Sequence, residues 1–306
     1  MEKAKRVVWR LLAASVCVMA VSQAVHADSL DEQRNRYAQI KQAWDNKQMD
    51  TVQALMPTLK DYPLYPYLEY RQITDDLMNQ PTVTVNNFIQ ANPTLPPART
   101  LKSRFVNELA RREDWRGLLA FSPDKPGATE AQCNYYYAKW ATGQQEEAWT
   151  GAKELWLTGK SQPNACDPLF SAWRASGKQD PLSYLERIRL AMKAGNTRLV
   201  TVLAGQMPAD YQTIASAVIS LANDPNTVLT FARTTGATDF TRQMAAVAFA
   251  SVARDDVENA RLMIPQLVQA QQLNDDQTQE LRDIVAWRLM GTDVTDEQAD
   301  RKSTRL

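Results

Sequence analysis

Apolar residues recur along this chain three and four positions apart, the period of a helix with one buried face. The stretch from Thr129 to Cys166 shows it most plainly: Tyr136, Tyr137 and Trp140 share a face, Gly143 interrupts, and Ala148, Ala152, Leu155 and Trp156 resume the period. An αα-hairpin is predicted here. Upstream, Ser29-Leu30-Asp31-Glu32 reads as a capping box opening a helix with Leu30, Tyr37, Ile40 and Trp44 on one side. Asp50 should cap a short helix carrying Val52, Leu55 and Leu59, interrupted near Pro57. The run from Tyr62 to Tyr70 places prolines in the first turn of a third helix, where a missing amide costs little. Thr82 to Ala91 alternates Val83 and Val85 like a strand, yet Val85, Phe88 and Ile89 fit a helix that Asn92-Pro93 ends. Leu101, Phe105, Val106 and Leu109 point one way on the next helix, and 114–121 forms its short partner.

The same pattern continues to the end. Leu169, Phe170, Ala172 and Trp173 stop at Gly177; Leu182, Leu185, Ile188, Leu190 and Met192 at Gly195; Leu199, Val202 and Leu203 at Gly205 and Pro208. Further faces follow, the last comprising Leu281, Ile284, Val285, Trp287 and Leu289. A small-x4-turn-x4-small spacing recurs loosely around Gly143, Gly195 and Asp255, a degenerate tetratricopeptide-like signal. A hairpin of this kind leaves one apolar face open, so neighbours must stack. The fold class is therefore all-α, a superhelix (α-solenoid) of stacked helical hairpins. Glycine scarcity, with 10 in 306 residues, argues independently against β-hairpins.

Met1 to Ala27 departs from this pattern. Lys3, Lys5, Arg6 and Arg10 precede an apolar run, Leu11 to Val21, too short to span a bilayer comfortably, and Val25-His26-Ala27 supplies the small residues of a cleavage site. A secretory signal cleaved between Ala27 and Asp28 is expected, leaving no integral membrane segment; a retained signal anchor is the other reading. Cleavage removes four of the 35 basic and one of the 35 acidic residues, so the remainder carries a net charge of −3. Bulk charge then offers no attraction for nucleic acid. The single histidine, His26, leaves with the signal, and so does Cys17. Cys133 and Cys166 remain as one pair in an exported, oxidising compartment, which reads as a disulfide, with two buried thiols as the alternative.

No stretch announces chemistry. Glu146-Glu147, Asp255-Asp256 and Asp275-Asp276 could in principle supply a carboxylate pair, but each falls at a turn or first helical turn, where acidic residues complement the helix dipole. Phosphate loops, nucleophile elbows and Cys/His metal spacings are missing, so no catalytic residue, no metal ligand and no cofactor is expected. The tyrosines of 62–70 could stack on sugars, although their helical spacing is already accounted for by packing. Arg104, Arg111, Arg112 and Arg116 could form a basic patch for an anionic polymer, or simply a solvated face. Thr295-Asp296-Glu297-Gln298 forms another capping box, but only Ala299 extends an apolar face before 300–306, which reads as a tail of non-native sequence or a gene that continues.

The signal peptide, DSLDEQRNRYAQIKQAWDNKQM, YPLYPYLEYRQI, FIQANPTLPPARTLKSRFVNELARREDW and the Cys133/Cys166 pair together resemble the soluble lytic murein transglycosylases of Gram-negative bacteria. The resemblance runs to about Asp300. It implies a periplasmic protein whose residues 28–299 form part of a U-shaped superhelical domain, closed in the family into a ring that carries a lysozyme-like catalytic domain. The family cleaves the β-1,4 bond between MurNAc and GlcNAc of peptidoglycan without water, giving 1,6-anhydromuramoyl ends. One glutamate acts first as acid and then as base. The family's Glu-Ser, Gly-Leu-Met-Gln and Ala-Tyr-Asn motifs do not occur in this sequence, so no catalytic residue carries over and the chain alone is expected not to cut murein. Glycan strands, met through the full-length enzyme, and other cell-wall enzymes are the implied partners. The alternative is a stand-alone periplasmic tetratricopeptide-like scaffold that binds a protein; a Glu-Ser motif encoded downstream would decide against it.

Overall fold

The computed structural model describes residues 29–207 and 209–291. The expected signal with Ala27 and Asp28, the capping box at Thr295, Ala299 and the tail 300–306 lie outside them. Among the described residues every regular element is helical: sixteen α-helices joined by short turns and single 3-10 turns, as the periodicity predicts. The chain divides into two compact units, Met1–Arg99 and Thr100–Leu306.

In the first unit, α1 (Leu30–Asp45) and α2 (Met49–Leu55) form a hairpin, and α3 (Tyr65–Asp75) and α4 (Thr82–Ala91) follow. Ser29 opens α1 with the capping box read from sequence, its hydroxyl accepting from the Glu32 amide while Glu32 accepts from the Ser29 amide. Asp50, in contrast, is not the cap of α2; Gln48 occupies that position, and Asp50 sits in the first turn, where its charge still favours the dipole. Ile40, Ala43, Trp44, Val52, Leu59, Tyr62 and Leu68 make the core. Thr82–Ala91 is a helix burying Val85 and Phe88, so the i, i+3 pattern outweighs the local β-propensity of two valines.

One turn is used four times. After α1, α5 (Pro96–Arg111), α7 (Thr129–Ala141) and α10 (Pro181–Lys193), the second residue beyond the helix is left-handed: Lys47, Glu113, Gly143 and Gly195. Its amide and the next one reach back to helix carbonyls, as in Gly143 to Trp140 and Gln144 to Lys139, or Glu113 to Ala110 and Asp114 to Leu109. The following residue then begins a new helix: α2, α6 (Trp115–Phe121), α8 (Gln145–Trp156) and α11 (Thr197–Gly205). Only two of the four positions are glycine, which is why glycine punctuation reveals half of these hairpins.

In the second unit α6 packs on α7, α7 on α8, and α9 (Asp167–Ala175) on both; α10 touches α8 and α11. Helices α12 (Gln212–Asn223), α13 (Val228–Thr234), α14 (Asp239–Asp255), α15 (Val257–Gln271) and α16 (Asp275–Met290) continue by near-neighbour packing, with α14 also packing back onto α10. One apolar core runs from Cys133 to Leu289, the layout of stacked hairpins. Two residues expected inward on α10 and α16 face solvent instead: Leu182 is 63% and Trp287 70% exposed. On α10 the inward set is Tyr184, Arg187, Ile188 and Ala191, a face displaced by the inclusion of an arginine.

Candidate functional site

The hairpin of α7 and α8 is the covalently closed centre of the second unit. Cys133 lies on α7 and Cys166 ends the 3-10 turn Asn164–Cys166 that leads into α9; they form a disulfide, with both residues fully buried and Cα atoms 4.8 Å apart. The two helices approach so closely that a Cβ on Gly151 would fall 2.3 Å from the Tyr136 ring. Tyr137 lies 5.0 Å from both Trp115 and Trp140. These rings are half-buried against one another.

Beside the disulfide, Trp156 of α8 meets Phe170 and Tyr184 edge-on at 5.0 Å and donates its indole N–H to the Ser183 carbonyl at 3.0 Å. The Arg187 guanidinium lies 4.2 Å from the Trp156 ring centroid and 5.6 Å from that of Phe170. Arg187 is only 4% exposed, and burial pulls its pKa down to about 10 against the opposing pull of Tyr184 and Asp167. Sequence reasoning passed over it because an arginine on an amphipathic helix normally marks the solvent side. The only available signal was phase: Tyr184, Arg187, Ile188 and Ala191 lie within one helical stripe. Chemically the cluster is a cation held between aromatic faces. It brings together no acid, base and nucleophile.

The remaining candidates resolve as structure. Tyr62 is buried against Tyr37 at 5.5 Å, and Tyr70 stacks near Phe88 at 6.2 Å; Tyr67 alone of the run is open. Burial raises the Tyr37 pKa, with Tyr62 and Tyr67 adding to the effect. Arg111 and Arg112 converge on the buried Glu108, and Arg112 also covers Phe105 at 5.3 Å, so half of the arginine patch serves its own helix. Glu146 and Glu147 occupy the first turn of α8, with Glu147 paired to Lys139 at 3.0 Å. Asp256 caps α15 by accepting from the Asn259 amide, while Asp275 and Asp276 begin α16. Among the described residues no group of His, Cys, Asp and Glu could hold a metal ion, and no helix is long and apolar enough to cross a membrane.

Comparison with known proteins places these features. No family model matches the chain. It is 87% identical over 299 residues to the soluble lytic murein transglycosylase of Escherichia coli strain K12, covering 98% of this chain and 46% of that protein. The Salmonella typhimurium protein of the same description is 81% identical over the same 299 residues. The chain thus spans about half the length of the relatives it matches. Among solved structures it matches the 70-kDa soluble lytic transglycosylase in complex with bulgecin A, with a TM-score of 0.84 and 87% identity over 90% of this chain and 45% of that one. An inactive mutant of the lytic transglycosylase Slt from Pseudomonas aeruginosa matches with a TM-score of 0.74 at 29% identity, over 83% of this chain and 41% of that one.

Proposed function

We propose that this chain is the superhelical, non-catalytic part of a peptidoglycan lytic transglycosylase. Its work is then to position glycan and to carry a catalytic domain located elsewhere in the whole protein. The observation that carries the reading is 87% identity across 98% of the chain to a soluble lytic murein transglycosylase of which it spans 46%. The helical core supports it, since most places where the sequence hinted at chemistry are occupied by packing, capping or ion pairs. On this reading the first 27 residues direct export, cleavage falls between Ala27 and Asp28, the protein works in the periplasm, and residues 28–299 belong to a U-shaped arc. The whole protein would cleave MurNAc–GlcNAc bonds to 1,6-anhydromuramoyl products on glycan strands, in reach of other cell-wall enzymes.

The test is fragment complementation on purified murein. The chain alone should give no clearing band in zymography. Mixed with the complementary remainder of the Escherichia coli relative, it should bind that remainder and increase its release of anhydromuropeptides. Clearing by the chain alone, or failure of the two pieces to associate, would overturn the proposal.

A further inference from the structure

A small cavity sits where α14, α15 and α16 meet, and its walls follow from one tight turn. Gln272 is left-handed, at φ 50°, and lets the chain reverse between α15 and α16. The preceding Gln271 is fully buried; its amide nitrogen donates to the Ala232 carbonyl at 2.8 Å, and its amide oxygen accepts from the Thr241 hydroxyl at 2.9 Å. The Gln271 backbone carbonyl accepts from Arg242 Nε at 2.9 Å, while Arg242 Nη1 donates to Asp239 at 3.1 Å. Arg242 is thereby fixed at the cavity wall, and its Nη2 has no acceptor among the described residues. On the α16 wall, Gln277 accepts from the Asn274 amide at 3.2 Å through its amide oxygen, which leaves its nitrogen as a second donor. Glu280, one turn further, makes no hydrogen bond or ion pair among the described residues. Between these groups the surface is apolar, formed by Ala245, Ala246, Leu267, Leu273 and Leu281. Asp276 and Asp283, one turn to either side of Glu280, line a neighbouring groove instead.

We propose that this cavity takes a neutral acetamido group, carried by an N-acetylated amino sugar. Its volume of about 50 Å³ has room for about four water-sized groups, the size of CH3–CO–NH. A sugar ring is too large to enter and stays outside. One cation, Arg242, and one carboxylate, Glu280, line the cavity, so a charged guest gains from one wall and loses to the other. A neutral group with one acceptor and one donor satisfies both. Its carbonyl accepts from Arg242 Nη2, its N–H donates to Glu280, and its methyl lies on the alanines and leucines. The choice of a sugar rather than a peptide as the carrier rests on the glycan-positioning role proposed above; the acetamide rests on the cavity alone.

The full chain, labelled with 13C at its alanine methyls, is titrated with N-acetylglucosamine and followed by NMR, with Ala245→Ser and Ala246→Ser assigning the two signals. Glucose and glucosamine serve as sugars without the acetyl group, and N-acetylalanine methylamide as a peptide carrier. N-acetylglucosamine should shift both signals with a Kd on the order of millimolar, as suits a contact of about four atoms, and the unacetylated sugars should leave them in place. Glu280→Ala should weaken binding about tenfold, whereas Glu280→Gln should retain most of it, because the amide oxygen still accepts. Ala246→Leu, which fills the cavity, should abolish binding. Arg242 is kept throughout, since its Nε holds the turn. Equal shifts with glucose, or binding unchanged in both Glu280→Ala and Ala246→Leu, overturn the site. Tighter binding of the peptide than of the sugar overturns the choice of carrier. None of these signals depends on murein clearing, so failure here leaves the outcome of fragment complementation, and the reading it tests, unchanged.

Discussion

Breaking the Cys133–Cys166 bridge isolates one contribution without replacing a heavy atom, because reduction adds only one hydrogen to each sulfur. The bridge closes a sequence separation of 33, which on the chain-entropy model stabilises the folded state by about 3.7 kcal/mol at 25 °C. The closed loop holds α7, α8 and the aromatic cluster around Trp156, so the loss should be local. Reduction in urea followed by refolding, compared with the oxidised protein in the same buffer, should lower the unfolding free energy of this region by roughly 3–4 kcal/mol. For a unit of this size the melting temperature should fall by about 7–15 °C. Hydrogen exchange resolved by helix is the better assay, since neighbour-coupled arrays need not unfold in one step. Protection should fall most in α7, α8 and α9 and least in α15 and α16. Both cysteines are fully buried, so reductant without denaturant should act only through opening of this region. A loss below about 1 kcal/mol would refute the reasoning, since it would mean that the unfolded chain already holds this loop closed.

Two further substitutions probe the same centre. Gly151→Ala should cost about 1–3 kcal/mol by overpacking, despite alanine's better helix propensity, because its Cβ would lie 2.3 Å from the Tyr136 ring; pairing it with Tyr136→Ser should recover most of that loss in urea unfolding. Arg187→Met should be neutral or stabilising by about 1 kcal/mol at pH 7, since it removes a desolvated cation while keeping an unbranched side chain over Trp156. Above the folded pKa of about 10, and up to the ordinary arginine value, the unfolded chain binds the extra proton. The wild type should therefore gain on the Met variant as pH rises through that window and hold a constant offset below it. A Met variant that loses several kcal/mol, or an offset that changes between pH 6 and 9, would contradict this account.

Legibility differed by kind of signal. Helices whose apolar faces repeat over several turns, such as α5 and α14, were plain from spacing, as was the capping box at Ser29, because side chain and backbone lie within three residues of each other. The hairpin turns at Lys47 and Glu113 were not, since a left-handed residue is costly without being forbidden, and any non-glycine there hides the turn. Asp50 misled for a related reason: an acidic residue serves the cap and the first turn equally well, and only backbone geometry separates them. Leu182 and Trp287 were misassigned, and Arg187 was passed over, because a face of mixed residues fixes helix phase only to within one position.

The amino-acid pattern by itself determined that this chain is helical and that its hairpins must stack, because both rest on periodicity. Tertiary structure alone decided which neighbours close which faces. It put a cation among the rings of Trp156 and Phe170, brought Tyr136 onto Gly151, and left Trp287 of α16 exposed. Helix periodicity is a property of adjacent turns. Burial depends on residues 30 to 40 positions away, such as Trp156 and Arg187, that no local window contains.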